Sequence, residues 1–499
     1  MQSRSDEREP DHTMSRITTS EMARTLSEWR AGGRKKIVAV AAAWLAVVAV
    51  AALVGVAIAQ NRTLGLALAA LVLVLGVFVA DPILLVVLVL PGSLLVQRLG
   101  GGSTNLSVAD LLVFMGGAVC LFHIKWKEAP FLRQFLQGII WYEAALILVV
   151  IAHPNRYNIV DWFHRFSYLA GSVLVGWVIV THGRTRQAFR LYLLGTSVLA
   201  VLAMEHAVSL HFQAAQWGVY QKNTVGGIMW VSIVVAQINP SWLGVGRLEA
   251  RVSKYLCIGG LLASQSRQAG ILLILAIVVA VFLNPEVRRR SKLTLLGAIP
   301  LVVVLYYSFA LAARNNPKFN SVSIRESQIS AALHVWHLSP LLGEGMRFYN
   351  LPQYLSVTAP PNVVIDNLAS TGVVGSIAFC FLVFITMRTL LRLPFAFGTL
   401  GLVVLGCHYV DGLFDIFWIG APSITAFIIA GVSLGKADLE RRKEGRSLID
   451  VALVTAESPG KASSGGGTRP LRAARWSARA ASAKRGGAMA RFIPVSHLR

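Results

Sequence analysis

What most constrains this chain is the recurrence of apolar runs long enough to cross a bilayer. Runs such as 37–59, 107–124, 136–152, 188–204, 293–313 and 368–387 follow one another along most of the sequence. A hydrocarbon core about 30 Å thick takes roughly 20 apolar residues in helix, fewer where bundle neighbours cover the helix. No water in that core can satisfy backbone amides, so only helices or a closed barrel can span it. The alternation of barrel strands is absent. The expected fold is therefore all-α, a polytopic membrane helical bundle of about 12–14 transmembrane helices. A mean hydropathy of +0.61 agrees with that reading.

A formal net charge of +23 could point to nucleic acid, but its distribution argues otherwise. Basic residues sit in short loops and in the C-terminal tail, with no basic stripe interleaved with aromatics, so no nucleic-acid partner is expected. They read as a topology signal, with Lys and Arg kept on the cytoplasmic side. Arg34, Lys35 and Lys36 place the N-terminal segment 1–36 inside, and the first apolar run is expected to be an uncleaved anchor. Lys125, Lys127 and Arg133, then Arg184, Arg186 and Arg190, then Arg288, Arg289 and Arg290, then Arg388 and Arg392 mark later inner loops. The transmembrane domain is read as 37–435 and a basic, disordered cytoplasmic tail as 436–499, which could touch anionic lipid headgroups. Cys120, Cys257, Cys380 and Cys407 lie in apolar runs without metal-ligand spacing, so neither a metal site nor a disulfide framework is expected.

Three segments are then left on the outer side: 153–166 with His153, Arg156, Asp161, His164 and Arg165; 205–223; and the long loop 314–367. Within the loop, Ser323 to His337 lacks Gly and Pro and spaces Ile329, Leu333 and Trp336 as a surface helix would. Ionisable groups at a membrane boundary are costly and mark function. Arg267 stands in the outer turn Ser264–Gln268 between two short apolar runs, Lys222-Asn223 precedes another run, and Arg325 opens the surface helix. Each can also be an interfacial anchor with its stem in lipid. Gly343-Glu344-Gly345 reads as a turn, and Gly372 with Gly375 as a small-residue pair permitting close helix packing.

The order of these pieces is informative. Lys222-Asn223 before a span, Ser266-Arg267 in an outer hairpin, a loop with Arg325, then Pro340, Gly343 and Gly345, then Asn362 ahead of Thr371-Gly372-Val373-Val374-Gly375, resembles the O-antigen ligase and polymerase family of bacterial membrane proteins. The likeness extends over about 80–435, with its specific part at about 221–375. It implies a glycosyltransferase in the bacterial cytoplasmic (inner) membrane, both termini cytoplasmic, using no metal ion or other cofactor. The donor would be a polyprenyl-pyrophosphate-linked glycan, and the acceptor a glycan, lipid or protein hydroxyl. Where the family carries histidine before the asparagine, this chain carries Pro361. In the ligases that histidine is the base that activates the acceptor.

The chemistry suits the residues. Transfer requires stabilising charge that grows on pyrophosphate as the anomeric bond breaks, and arginine grips phosphate oxygens in pairs while staying charged. Arg267 and Arg325 are the candidates for that role, with Lys222 and Asn223 assisting and Asn362 ordering the loop or touching sugar. For the base, Asp366 is preferred over Glu344, His334 and His337, since it follows the motif by one helical turn; a solvated helix-start acid is the plainer reading. Two other functions stay open: a family member without catalysis serving a polysaccharide export complex, and a transporter of lipid-linked glycan. The topology has a direct check. Alkaline phosphatase inserted within 314–367 should be active and a fusion after Lys443 inactive; equal activity at both sites would refute the assignment.

Overall fold

The computed structural model describes residue 76 and residues 81–96, 107–216, 220–288, 321–414 and 421–456. The segment 1–36, the spans expected at 37–59 and 293–313, and residues 457–499 of the expected tail lie outside them. The described residues form helices and no strand. In chain order these are α1 (Pro82–Gly92), α2 (Val108–His123), α3 (Pro130–Ala152), α4 (Arg156–Phe166), α5 (Ser172–Thr181), α6 (Thr185–Ser209) and α7 (Lys222–Ile238). They continue with α8 (Arg247–Ser264), α9 (Arg267–Leu283), α10 (Ser321–Leu338), α11 (Val363–Leu391), α12 (Phe395–Asp411) and α13 (Ala421–Ala456). The all-α bundle read from the sequence is what the structure has. Two compact units divide the chain, residues 1–439 and 440–499. The tail expected from residue 436 onward begins as helix, since α13 runs to Ala456; within the second unit Lys443 pairs with Glu440 at 3.0 Å.

Local chemistry sets the helix starts. Asp81 caps α1 ahead of Pro82, whose missing amide is no loss at a first turn. Ser107 and Asp110 form a reciprocal capping box on α2. The start of α3 is capped from afar: Asp438 accepts from the amides of Phe131 and Leu132 and from Trp177 Nε1.

Among the described residues, four helices are long and apolar enough to cross a membrane: α3, α6, α11 and the continuous Arg156–Thr181 rod in which a π turn, Ser167–Gly171, joins α4 to α5. That rod is 83% buried over its most apolar stretch, against 39–44% for the other three, so it runs through the middle of the bundle. It packs closely on α13, where Gly431 and Gly435 meet the backbones of Val173 and Trp177 with no room for a Cβ. Small residues give this close approach when the surrounding solvent is itself apolar. Outward, Phe122, Trp141, Ile151 and Phe282 are exposed, as a surface wetted by lipid requires.

The segment 153–166 differs from its expected role as an outer loop. It is helical from Arg156, and Asn158, Asp161, His164 and Arg165 are buried in the bundle. The apolar run 167–181 is too short to fill the rod alone, and the polar turns ahead of it extend it.

The second departure is a break in α11. Gly372 takes φ 63° and ψ −163° inside the helix, a conformation open to glycine almost alone. The break frees the carbonyls of Ala369 and Ser370 and the amides of Val373 and Val374, which would otherwise pair with each other four residues apart. The turn after α10 takes all four. Glu344 and Gly345 donate to Ala369 and Ser370, and Val373 and Val374 donate to Pro340 and Leu341, at 2.9–3.1 Å. The two chains approach so closely that a Cβ on Gly343 would strike the Ser370–Gly372 backbone, and one on Gly372 the Leu341–Leu342 backbone. The Gly343-Glu344-Gly345 turn and Gly372 thus form one clamp, while Gly375, read from sequence as the partner of Gly372, faces Thr371 of its own helix.

α10 lies on α11 through Ala332 and Val335, which share a small core with Phe348 and Ala369. Ile329, Leu333 and Trp336, the face expected to be apolar, are only half-buried. Gly372→Ala should cost about 3 kcal/mol or more, from forbidden backbone angles and the lost clamp together. A thermal unfolding scan in detergent checks it, with Gly270→Ala, where a Cβ meets nothing within 4 Å, as the control that should not destabilise.

Candidate functional site

One end of the bundle gathers the starts of α7, α9 and α11 and the finish of α12. Ser266, capping α9, donates to Asn223 at 3.3 Å, and Gly226 lets α9 come close to α7 there. Gln268 donates to the Asp411 backbone carbonyl at 3.2 Å and to its carboxylate. The Val363 amide donates to the Gly412 carbonyl at 2.7 Å, and Asn362 Nδ2 to the Leu413 carbonyl at 2.9 Å. This chain of contacts brings Lys222, Asn223, Arg267 and Asn362 to the same end. Lys222 and Arg267 are exposed there. Asn362 is the cap of α11, accepting from the amides of Val364 and Ile365 at 2.8 and 3.3 Å.

Arg325 approaches this end along α10. That helix runs parallel to α11, with Ala332 beside Ala369 and Pro340 beside Val373. Seven residues earlier, about 10 Å by helical rise, lie Arg325 and Asn362 respectively. Arg325 is half-buried. His334 and His337 are exposed on the face of α10 turned away from α11.

One turn into α11 the character of the site changes from exposed to buried. Asp366, preferred from sequence, has a side chain 22% exposed, while Asp161 and Arg165 beside it are at 3%. Arg165 donates from Nε to Asp161 at 2.9 Å and from Nη1 to the Tyr142 hydroxyl at 2.8 Å, and reaches Asn367 Oδ1 at 3.4 Å. Its Nη2 lies 3.8 Å from Asp366 Oδ2. The other oxygen of Asp161 takes Arg347 Nε at 2.5 Å. Arg347 also donates to His164 Nδ1 at 3.2 Å; arginine has only donors, so Nδ1 accepts. His164 stacks on Tyr168, whose hydroxyl bonds Asp110.

Arg347 comes from the loop just beyond the clamp. Its φ of 55° is left-handed, uncommon for a residue with a Cβ. The Met346 amide holds it in place by donating to Asn158 Oδ1 at 2.9 Å, and Asn158 is itself tied to the carbonyls of Val149 and His153. Burial works against the Arg347 charge, yet the Asp161 carboxylate more than offsets it and holds the guanidinium above its ordinary value. Burial likewise pushes the Tyr349 phenol up, and the Asp366 and Asp161 carboxylates add to that.

Sequence reasoning named Asp161 and Arg165 only as members of an outer segment, and it missed Arg347. Their spacing carried a signal, since Asp161 and Arg165 stand four apart, as helical ion pairs do. For Arg347 only its place just after the Gly-x-Gly turn pointed to it.

Residues 252–380 match a family described as O-antigen ligase. The matched stretch includes Arg267, Arg325, Arg347, Asn362, Asp366 and both halves of the clamp, and stops short of Lys222, Asn223, Asp161 and Arg165. No curated protein matches the chain.

Removing the shared carboxylate leaves the buried Arg165 guanidinium and the half-buried Arg347 guanidinium without the charge between them. Asp161→Ala should destabilise by about 3–5 kcal/mol, read as a lowered unfolding temperature in detergent. The exposed Lys222→Ala should stay within about 0.5 kcal/mol.

Proposed function

With residues 252–380 matching the O-antigen ligase family, we propose that this membrane protein transfers or polymerises a polyprenyl-pyrophosphate-linked glycan at the outer leaflet during surface polysaccharide assembly. The observation that carries the reading is the convergence at one end of the bundle. Helix starts bearing Lys222, Asn223, Arg267 and Asn362 meet there, and the charged cluster of Asp366, Arg165, Asp161 and Arg347 begins one helical turn below.

In this reaction the acceptor hydroxyl oxygen attacks the anomeric carbon of the donor. Its proton passes to Asp366, and the bond from the anomeric carbon to the pyrophosphate oxygen breaks with the electron pair leaving on pyrophosphate. Arg267 and Arg325 hold the leaving diphosphate, where an arginine fork matches paired oxygens. Lys222 adds charge and Asn223 a polar contact at the same end. The helix starts themselves favour an anion, since unpaired amides and the helix dipole give each a partial positive charge. Asn362 orders the entry to α11.

Pro361, standing where the family carries histidine, favours a second reading in which the protein serves a polysaccharide export complex without transferring sugar. One experiment separates the two. Deleting the gene should leave lipid-linked glycan on its carrier, as single repeat units for a polymerase or finished chains for a ligase. Complementation with Arg267→Ala or Arg325→Ala should lower transfer by about 10²–10³-fold with normal protein in the membrane. Full restoration by both variants removes the catalytic assignment and leaves the partner role. A transporter would instead trap the lipid-linked glycan on the cytoplasmic leaflet.

A further inference from the structure

Asp366 is held by more than a helix-start acid needs. Ser370 Oγ donates to its Oδ1 at 3.2 Å, and Arg165 Nη2 stands 3.8 Å from its Oδ2. Arg165 comes from the central rod, on a different helix and some 200 residues away in sequence. Its guanidinium is planar and rigid. With Nε committed to Asp161 and Nη1 to Tyr142, the plane is set and Nη2 is directed at Asp366. Among Asp161, Arg165 and Asp366, only Asp366 has appreciable exposure, 22% against 3%. The arrangement presents one carboxylate outward and hides what orients it.

We propose that Arg165 is the positioning residue for Asp366, aimed by Asp161 and Tyr142, and that Arg347 couples this aim to the seating of the outer loop. The proposal rests on Asp366 acting as the acceptor's base. Asp161 uses one oxygen for each arginine, Oδ2 for Arg165 and Oδ1 for Arg347. Arg347 follows directly on the clamp that closes the break in α11, and Asp366 lies on the same helix, ahead of that break. Docking of the loop and orientation of Asp366 are therefore one event. A buried ion pair serving stability alone would have no reason to end on a partly exposed acid in the first turn of α11.

A double-mutant cycle tests this, because a residue acting only through Asp366 has nothing left to act on once Asp366 is gone. The full-length protein is expressed in the deletion host, and membranes are supplied with a lipid extract from the same host as the glycan donor. Initial rates of glycan transfer are normalised to the amount of protein in the membrane. Asp366→Asn should lower the rate about 10²-fold or more. Arg165→Lys keeps the charge but loses the fork, and Tyr142→Phe removes one hydroxyl; each should cost about 10-fold, the scale of one hydrogen bond to a charged group. Both losses should fall on kcat with the KM for the extract unchanged, and both should vanish in the Asp366→Asn background.

Full additivity of either variant with Asp366→Asn overturns the inference and leaves the transferase reading intact. Native rates for both single variants overturn it as well. A native rate for Asp366→Asn ends the base assignment, and the inference with it. Extract left unconverted by the unsubstituted protein ends the transferase reading. Tyr142→Phe keeps the volume of the buried ring, so it decides the question alone if Arg165→Lys fails to accumulate.

Discussion

The backbone at Gly372 is the constraint on which the rest depends. A break in a helix between apolar turns leaves four polar groups without partners, and in hydrocarbon each unmet group costs several kcal/mol. Here the turn Pro340–Gly345 supplies every missing partner. The turn after α10 is therefore part of the bundle's hydrogen-bond inventory rather than an appendage. Its position follows from the need of α11, and the position of Arg347, two residues beyond Gly345, follows from the loop.

From Arg347 the dependence continues through charge. Asp161 lies between two guanidiniums, in a rod most of whose neighbours are apolar. Taking such ions out of water is expensive, and a well-packed apolar core of the same volume often gives equal or greater stability. What ions supply that methyl groups cannot is direction. A planar fork fixed at two of its corners leaves the third aimed, and the aim here is Asp366. The π turn immediately after Phe166 sits at the same level of the rod, a distortion frequently found at functional sites. Ser370, which donates to Asp366, also lends its carbonyl to the clamp. Backbone closure and side-chain orientation thus meet in one residue.

The sequence made the helical class and the membrane setting legible because both follow from bulk patterning, which needs no knowledge of neighbours. It also pointed to Lys222, Asn223, Arg267 and Asn362, since each stands at a helix start beside an apolar run, and the structure brings those starts to one end of the bundle. The buried half was harder to read for a specific reason. Asp161 and Arg165 look like loop residues when charge is taken as a sign of water, and only pairing across elements makes them compatible with an interior. Arg347 had only its place after the Gly-x-Gly turn to mark it; its role depends on a left-handed backbone and a partner nearly 190 residues away. The two glycine motifs failed in a different manner. Each was read as serving its own segment, a turn and a packing face, whereas each exists because of the other.

Pro361 can be weighed against this architecture. A proline just before a helix cap restricts the approach of the chain without withdrawing any amide the helix requires. Asn362 caps α11 with two amide bonds, and Val363 and Asn362 both reach the end of α12. Pro361 is therefore compatible with the capped helix start. Pro361 offers no ionisable side chain at this end; one turn deeper stands a carboxylate beside an arginine whose orientation is set from two sides. A base has to reach the acceptor proton and has to be held still, and Asp366 is the carboxylate on this helix start with an oriented partner on each oxygen. On the proposed reading, proton removal falls to a carboxylate one turn along α11, beside the charged cluster that the clamped loop completes.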